Sequence, residues 1–125
     1  QRIEPDGIAP PAANYAHAVL SDHTGRILHT SGVVPIAPDG SVPAGVADQA
    51  AVVWSSISAI LAEASMGPAD IVSVVTYVVV GEDLGSVMTA RDVALEGNLV
   101  ASTLVYVPNL AQPAWKVEVA VVAVA

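Results

Sequence analysis

The sequence predicts an α+β fold of one domain, residues 1–125, in which one mostly antiparallel sheet carries two helices on a single face. Two observations predict it. β-rich segments and two segments of helical periodicity follow one another along the chain, an order typical of a sheet with helices on one side. The length of 125 residues also fits one domain.

The first third of the chain is predicted to hold only short strands. Residues 1–14 are rich in Pro, Ala and Gly, and we predict an irregular lead-in there. Residues 15–20 and 26–30 flank a Ser-Asp-His-Thr-Gly turn signal, which predicts a β-hairpin. Residues 33–36 form an apolar run that contains Pro35, which favours an edge strand or an irregular segment.

Two segments have the periodicity of helices. In residues 46–65 the apolar side chains recur at three- and four-residue steps, and Gly67-Pro68 marks the end of the helix. Residues 82–96 repeat this spacing, with Asp83 as the candidate N-cap and Gly97-Asn98 as the C-terminal signal.

Three longer segments are predicted to be strands. Residues 69–80 are apolar on both faces, which is typical of a central strand. Residues 99–107 and 116–124 are also rich in β-branched side chains, and a loop with two prolines separates them.

The composition excludes several classes of protein. With 54% apolar residues the chain is not disordered, and without cysteine it has no disulfide framework, thiolate nucleophile or cysteine-based zinc site. The chain has 12 acidic and 4 basic residues, and its basic residues are scattered. We therefore predict no nucleic-acid partner and no membrane partner. No transmembrane span and no signal peptide are expected.

The low proportion of charged residues predicts an oligomer. Only 13% of the residues are charged, well below the ~25% of an average domain. Apolar surface beyond the monomer core therefore needs another place to be buried. We expect that place to be an interface between copies of the chain.

Several short motifs in a fixed order resemble a known family. They are the segment around Tyr15, Ser31-Gly32-Val33-Val34-Pro35, Asp39-Gly40, Gln49, Asp70-Ile71-Val72 followed by Tyr77-Val78, and the terminal Val117-Glu118-Val119 run. From about residue 9 to residue 125 the chain resembles the RidA/YjgF/YER057c/UK114 family of reactive-intermediate deaminases. The resemblance implies a chorismate-mutase-like α+β fold and a cytoplasmic homotrimer with a small-molecule pocket at each subunit interface. It also implies hydrolysis of an imine or enamine with release of ammonia, without a cofactor or a metal.

One position departs from the family. Archetypal members have an arginine that anchors the substrate carboxylate where this chain has Ala101. A guanidinium suits that task because it offers a planar bidentate fork, and losing such a pair costs about 2–5 kcal/mol. We therefore expect weak or absent 2-imino-acid deamination. The possible substitutes are Arg91, which we place on the outer face of the second helix, and Arg26, in the predicted hairpin.

Glu118 is the candidate catalytic residue. It is the only acid inside an apolar strand, and an acid there can orient water or transfer the proton that imine hydrolysis needs. Burial would raise its pKa. The alternative is an ordinary strand acid that faces solvent or pairs with Lys116, two residues along on the same face.

The resemblance also implies a set of substrate-binding residues. Tyr15 would form a pocket wall and donate a hydrogen bond, and Gly32 would allow close approach of a ligand, although a plain turn glycine is the favoured interpretation. Ser102 and Thr103 would offer donors, although both residue types are ordinary strand formers. The full set is Tyr15, Ser31, Gly32, Tyr77, Ala101, Ser102 and Thr103.

Other features and functions carry less weight. His17, His23 and His29 lie six residues apart, but imidazoles without a carboxylate make a poor metal site. A non-enzymatic small-molecule-binding or interaction trimer is one alternative, and a hydrolase of a neutral substrate is another. Ribonuclease activity, which has been attached to this family, is disfavoured by the net charge of -8.

Overall fold

Two helices lie against one face of a four-stranded sheet in the computed structural model, which describes residues 1–22 and 25–125. In chain order the elements are β1 (Arg2–Ile3), β2 (Ala18–Val19), β3 (Ile27–His29), α1 (Val46–Glu63), a 3-10 turn (Pro68–Asp70), β4 (Ile71–Val79), α2 (Leu84–Leu95), β5 (Ala101–Val107) and β6 (Val117–Val124). The main sheet has the order β3-β6-β4-β5, and β1 pairs with β2 apart from it.

The sheet is mostly antiparallel, as predicted. β6 pairs antiparallel with both β3 and β4. β4 and β5 pair in parallel, because α2 connects them as a crossover, the connection that parallel neighbours need. Side chains of β6 alternate between buried and half-buried, so one face of the sheet packs on the helices and the other does not.

α1 confirms the periodicity argument. Its buried residues include Val46, Ala50, Val53, Ile57 and Leu61, the stripe that the spacing predicts. The helix ends at Glu63, before the predicted residue 65, because Ser65 takes a left-handed backbone conformation with φ 56°.

α2 confirms both predicted ends. The Asp83 carboxylate accepts hydrogen bonds from the Gly85 N–H at 3.1 Å and from the Ser86 hydroxyl at 2.7 Å. Glu96 is the left-handed C-cap, and Gly97 follows with φ 84°. The prediction that Arg91 lies on the outer face is wrong, because its side chain is only 4% exposed. Arg91 is one of the buried residues of α2, together with Val87 and Leu95.

The hairpin predicted over residues 15–30 is wrong. β2 pairs with β1, and β3 pairs with β6. The physical reason is that a two-stranded hairpin is marginal by itself, whereas Leu28 in β3 lies opposite Ala123 and packs on the core. The predicted turn at His23 and Thr24 lies outside the described residues.

Two smaller expectations for the first third also change. The lead-in of residues 1–14 is irregular apart from the two residues of β1. The run at residues 33–36 forms a single bridge, Val33 to Val119, because Pro35 has no N–H to continue a ladder. No helix in the described part of the chain is long and apolar enough to cross a membrane.

Candidate active site on the open sheet face

The sheet face that turns away from the helices is mostly apolar. We call it the open face. By strand register it presents Ile27, His29, Ser73, Val75, Tyr77, Val79, Ala101, Thr103, Val105, Val107, Glu118, Ala120, Val122 and Val124. Ile27 is 61% exposed. Such a surface favours contact with another apolar surface.

Glu118 lies directly against Gly32 on this face. Val33 and Val119 exchange two backbone hydrogen bonds, at 2.7 and 3.1 Å, and this bridge brings Gly32 beside the Glu118 side chain. A β-carbon at position 32 would lie 2.7 Å from Glu118 Cδ, far inside contact distance. A side chain here would therefore have to displace the Glu118 carboxylate, so Gly32 lets that carboxylate lie against the backbone.

A register shift places Gly32 there. β3 pairs with β6 up to His29 opposite Val122, but the next bridge joins Val33 to Val119, so the N-terminal side holds one extra residue. Thr30 stabilises the step, because its hydroxyl accepts a hydrogen bond from the Val121 N–H at 3.0 Å. An extra residue of this kind bends a strand and redirects its backbone, as bulges next to active sites do.

The carboxylate of Glu118 is half-buried and available. Within residues 1–22 and 25–125, no side-chain hydrogen bond or ion pair reaches it. Lys116, the expected alternative partner, instead lies 3.5 Å from the Glu82 carboxylate. A carboxylate without a protein partner can accept a proton from a bound water or hold an ammonium-like group.

Tyr77 and Ser31 lie near Glu118. Tyr77 is the direct cross-strand neighbour of Glu118 in the β4–β6 ladder, a position from which side chains interact across a sheet. Ser31 is exposed and immediately precedes Gly32. The structure thus brings together four of the predicted residues, which we call the Glu118 group: Ser31, Gly32, Tyr77 and Glu118.

Ala101 and Thr103 share the open face but lie away from Glu118. Ala101 is opposite Ser73 of β4, whereas Glu118 is opposite Tyr77, four residues further along the same strand. At about 3.3 Å per residue this separates the two rows by about 13 Å. A small substrate therefore cannot contact Ala101 and Glu118 of the same subunit at once.

Tyr15 lies at the Ala101 end of the sheet. The next residue, Ala16, bridges Ala101, and its N–H donates to the Val100 carbonyl at 2.8 Å. The Tyr15 hydroxyl accepts a hydrogen bond from the Ala12 N–H at 3.2 Å, which leaves its proton free to be donated. We call Tyr15, Ala101 and Thr103 the Tyr15 group.

Ser102 does not join either group. Alternation along β5 turns it toward the helices, opposite Val74 of the core. There its hydroxyl accepts a hydrogen bond from Arg91 Nη1 at 3.3 Å. Sequence reasoning missed this role of Arg91, although its four-residue spacing from Val87 and from Leu95 was the signal that it belongs to the buried stripe.

The basic residues of the chain are all engaged elsewhere. Arg2 pairs with Glu4 at 3.7 Å, and Arg26 donates to the Ala64 carbonyl at 2.7 Å. Lys116 pairs with Glu82, and Arg91 is buried on the helix side. By register Lys116 lies opposite Val79 on the open face, two residues from Glu118, and its ammonium faces Glu82. Among the described residues, no Arg or Lys side chain lies at Ala101.

The described residues offer no cluster of three or more His, Asp or Glu side chains that would hold a metal ion. His17 contacts the Ala9 carbonyl at 2.6 Å, and His29 lies on the open face opposite Val122. A groove of about 410 Å³ runs between α1 and α2, and of the described residues that line it only Glu96 is titratable. We therefore place the candidate site on the open face.

Comparison with known proteins gives one family and several solved structures. A family model described as endoribonuclease L-PSP matches residues 7–125. The chain is similar to YyfB from Yersinia pestis, described as a protein of unknown function of the conserved Rid protein family, with a TM-score of 0.85 and 27% identity over 100% of this chain and 98% of that chain. It is similar to the YjgF gene product from E. coli, with a TM-score of 0.73 and 27% identity over 99% and 98% of the two chains.

A third solved structure, TdcF from E. coli, is described with bound serine. It has a TM-score of 0.74 and 24% identity to this chain, over 100% of this chain and 98% of that chain. At this identity the likeness shows the fold. No curated protein gives a significant match to the chain.

Proposed function

Because the chain belongs to the endoribonuclease L-PSP family, the family of the Rid proteins, we propose that it is a homotrimer that hydrolyses a reactive imine or enamine. The observation that carries the proposal is the Glu118 carboxylate, which has no hydrogen-bond or ion-pair partner in residues 1–22 and 25–125 and lies against Gly32 on an apolar face. An acid in such a place is suited to act on a bound ligand or on a bound water.

Glu118 performs the proton transfers of the proposed reaction. Its carboxylate takes a proton from water as the water oxygen bonds to the imine carbon, and the resulting carboxylic acid returns that proton to the imine nitrogen, which gives a neutral carbinolamine. In a second transfer the carboxylate carries the hydroxyl proton of the carbinolamine to its nitrogen as the C–N bond breaks, which releases ammonia and a carbonyl compound. The net reaction converts one imine and one water into one carbonyl compound and one ammonia, and Glu118 is a carboxylate again at the end. An enamine enters the same sequence after protonation at its carbon to the imine.

A subunit interface is the place where the site becomes complete. Ala101 of the Tyr15 group and Glu118 lie on one face of the subunit but about 13 Å apart along the strands at 3.3 Å per residue. A second copy that presents its Tyr15 group opposite Glu118 closes a pocket between the two. The same packing buries the apolar open face, which supports closed oligomers over monomers.

The charges of the site favour an uncharged substrate over a 2-imino acid. Ala101 offers no donor, and each basic residue of the chain already contacts another group of the same subunit. A substrate carboxylate placed here would be desolvated near Glu118 without a counter-charge, which is costly. The bound serine of TdcF supports a small-molecule ligand in this fold, and the net charge of -8 supports a protein that does not bind RNA.

The test compares two kinds of imine made in situ. An amine oxidase supplies an uncharged imine from a simple primary amine, and an amino-acid oxidase supplies a 2-imino acid. We expect the protein to accelerate ammonia release from the uncharged imine, and we expect Glu118→Gln to abolish the acceleration. Glu63→Gln, at an exposed acid of α1, is the control and keeps the wild-type rate. A faster reaction with the 2-imino acid contradicts the assignment of substrate charge.

The alanine at position 101 also favours a second candidate, a trimer that binds a small molecule without turnover. Here Glu118 is a ligand contact and no imine is hydrolysed faster than in buffer. Calorimetric titration of wild type and Glu118→Gln with small amines and hydroxy compounds distinguishes the candidates, because a binder takes up ligand without releasing ammonia.

A further inference from the structure

A charged side chain is buried beneath β5 at the Tyr15 end of the sheet. Arg91 is 4% exposed, and its Nε donates to Asp92 Oδ1 at 3.1 Å while its Nη1 donates to Ser102 at 3.3 Å. Its Nη2 is buried without a hydrogen-bond partner among the described residues. A buried guanidinium is costly unless its charge is paired, so the position of Asp92 matters to this part of the fold.

Asp92 has a second partner in the N-terminal segment. Its Oδ2 accepts a hydrogen bond from Asn14 Nδ2 at 3.1 Å, so one carboxylate joins Arg91 to Asn14. We call this arrangement the Asp92 bridge. It connects α2 to the residue immediately before Tyr15, across 78 positions of the chain.

The segment around Tyr15 has few other attachments. On the far side of Tyr15, the Ala16 N–H donates to the Val100 carbonyl at 2.8 Å. Asn14 and His17 are exposed, and the hydrogen bond from the Ala12 N–H to the Tyr15 hydroxyl lies within the segment itself. Among the described residues, Tyr15 is therefore held to the body of the protein by the Asp92 bridge before it and by Ala16 after it, which is 1% exposed, bridges Ala101 and donates to the Val100 carbonyl.

We propose that Asn14, Asp92 and Arg91 are positioning residues that hold Tyr15 beside Ala101. The position of Tyr15 is proposed independently of the proposed function. Only the role of Tyr15 in contacting a ligand rests on that function. The charge of Asp92 strengthens the hydrogen bond that it accepts from Asn14, because hydrogen bonds to charged groups are stronger than neutral ones. Arg91 keeps the Asp92 side chain in place from the buried side.

The experiment reads the position of Tyr15 without any substrate. The protein is labelled with 3-fluorotyrosine, and the fluorine resonances of its 3 tyrosines are assigned by replacing each tyrosine with phenylalanine. Hydrogen exchange of the Ala16 amide is measured on the same samples. Asn14→Ala is the main variant because it leaves the buried Arg91–Asp92 pair intact, and Asp92→Ala is the second.

We expect Asn14→Ala to speed exchange of the Ala16 amide about tenfold, the factor that loss of one hydrogen bond to a charged group gives. The Tyr15 resonance moves toward the position of a free tyrosine, and those of Tyr77 and Tyr106 stay in place. Glu82→Ala is the matched control, because it removes an ion pair with Lys116 of similar exposure and leaves Tyr15 unaffected.

Two results overturn the proposal. One is an unchanged Tyr15 resonance with an unchanged Ala16 amide in Asn14→Ala. The other is equal acceleration of exchange throughout β4 and β6, which means that the bridge serves only overall stability. Neither depends on turnover, so failure of the proposed hydrolysis and failure of this proposal are separate results. If hydrolysis is observed, Asn14→Ala raises KM more than it lowers kcat.

Discussion

Gly32 and Glu118 leave no room for a side chain between them. A β-carbon on Gly32 would lie 2.7 Å from Cδ and 3.1 Å from Cγ of Glu118. The backbone of Gly32 is outside the left-handed region, since no positive φ occurs there. The absence of a side chain at position 32 thus allows the present place of the carboxylate, and the backbone conformation of Gly32 does not call for glycine.

Gly32→Ala is expected to remove hydrolysis while the fold remains. The added methyl group pushes the Glu118 carboxylate out of position, and a misplacement of about 1 Å costs on the order of 100-fold in rate. The measurement is kcat/KM for the uncharged imine, together with the thermal midpoint. Gly25→Ala is the control, because it also borders β3 and its β-carbon would make an ordinary 3.6 Å contact. Full activity of Gly32→Ala contradicts the assignment of Glu118.

Gln49→Ala is expected to lower the free energy of unfolding by about 3 kcal/mol. The Gln49 side chain is fully buried, donates to the carbonyls of Pro43 and Ala114 at 2.8 Å each, and accepts from the Lys116 N–H at 2.8 Å. Its loss leaves these backbone groups without partners at the start of β6. Urea unfolding measures the change, and Gln112→Ala in the exposed loop is the control. A change below 1 kcal/mol would contradict the predicted role.

Val122→Asp is expected to convert the proposed trimer to monomers. Val122 lies on the open face opposite His29 and Ser73, so a carboxylate there would lose its hydration in any interface built on this face, with only the His29 imidazole and the Ser73 hydroxyl beside it. Sedimentation equilibrium measures the mass. The control is Val93→Asp on α2, where the valine is 71% exposed on the helix side. A trimer that survives Val122→Asp would show that the interface lies elsewhere.

The N-cap of α2 is expected to make stability depend on pH. Hydrogen bonds from the Ser86 hydroxyl and the Gly85 N–H lower the pKa of Asp83 from its usual 3.8. Because the folded state has the lower pKa, the cap stabilises the protein fully above pH 3.8 and less as the pH falls through the folded value.

The measurement is the thermal midpoint of wild type and Asp83→Ala across this pH range. Their difference is largest near neutral pH and shrinks on acidification. Asp6→Ala, at an exposed acid of the lead-in, keeps a constant difference from wild type. A gap between wild type and Asp83→Ala that stays constant down to pH 2 contradicts the cap mechanism.

Local sequence signals predicted the helices well, but they did not predict which strands pair with each other. Both helices follow from side-chain spacing and from caps such as Asp83, which act within a few residues. The pairing of β3 with β6 instead of β2 depends on residues at the other end of the chain, and no turn signal reports that choice.

The candidate site shows the same division. Glu118 could be singled out because an acid inside an apolar strand is unusual. Its distance from Ala101 depends on how β4 is aligned with β5 and with β6. The spacing of side chains within one strand does not predict that alignment. Alternation in β5 separates Ser102 from Thr103 onto opposite faces. Arg91 was predicted to face solvent because charged side chains usually do, although its spacing places it on the buried stripe of α2.

The pairing of β3 with β6 also determines when the site comes into existence. Ile27 pairs with Val124, so the strand that carries the chain into Gly32 gains its neighbour only after nearly the whole chain is present. Contacts between such distant segments are slow to form. A ribosome-bound chain that still lacks β6 can build α1, β4 and α2 in sequence, but it holds no assembled acid site. The proposed chemistry at Glu118 therefore requires that β6 has been made and has paired with β3.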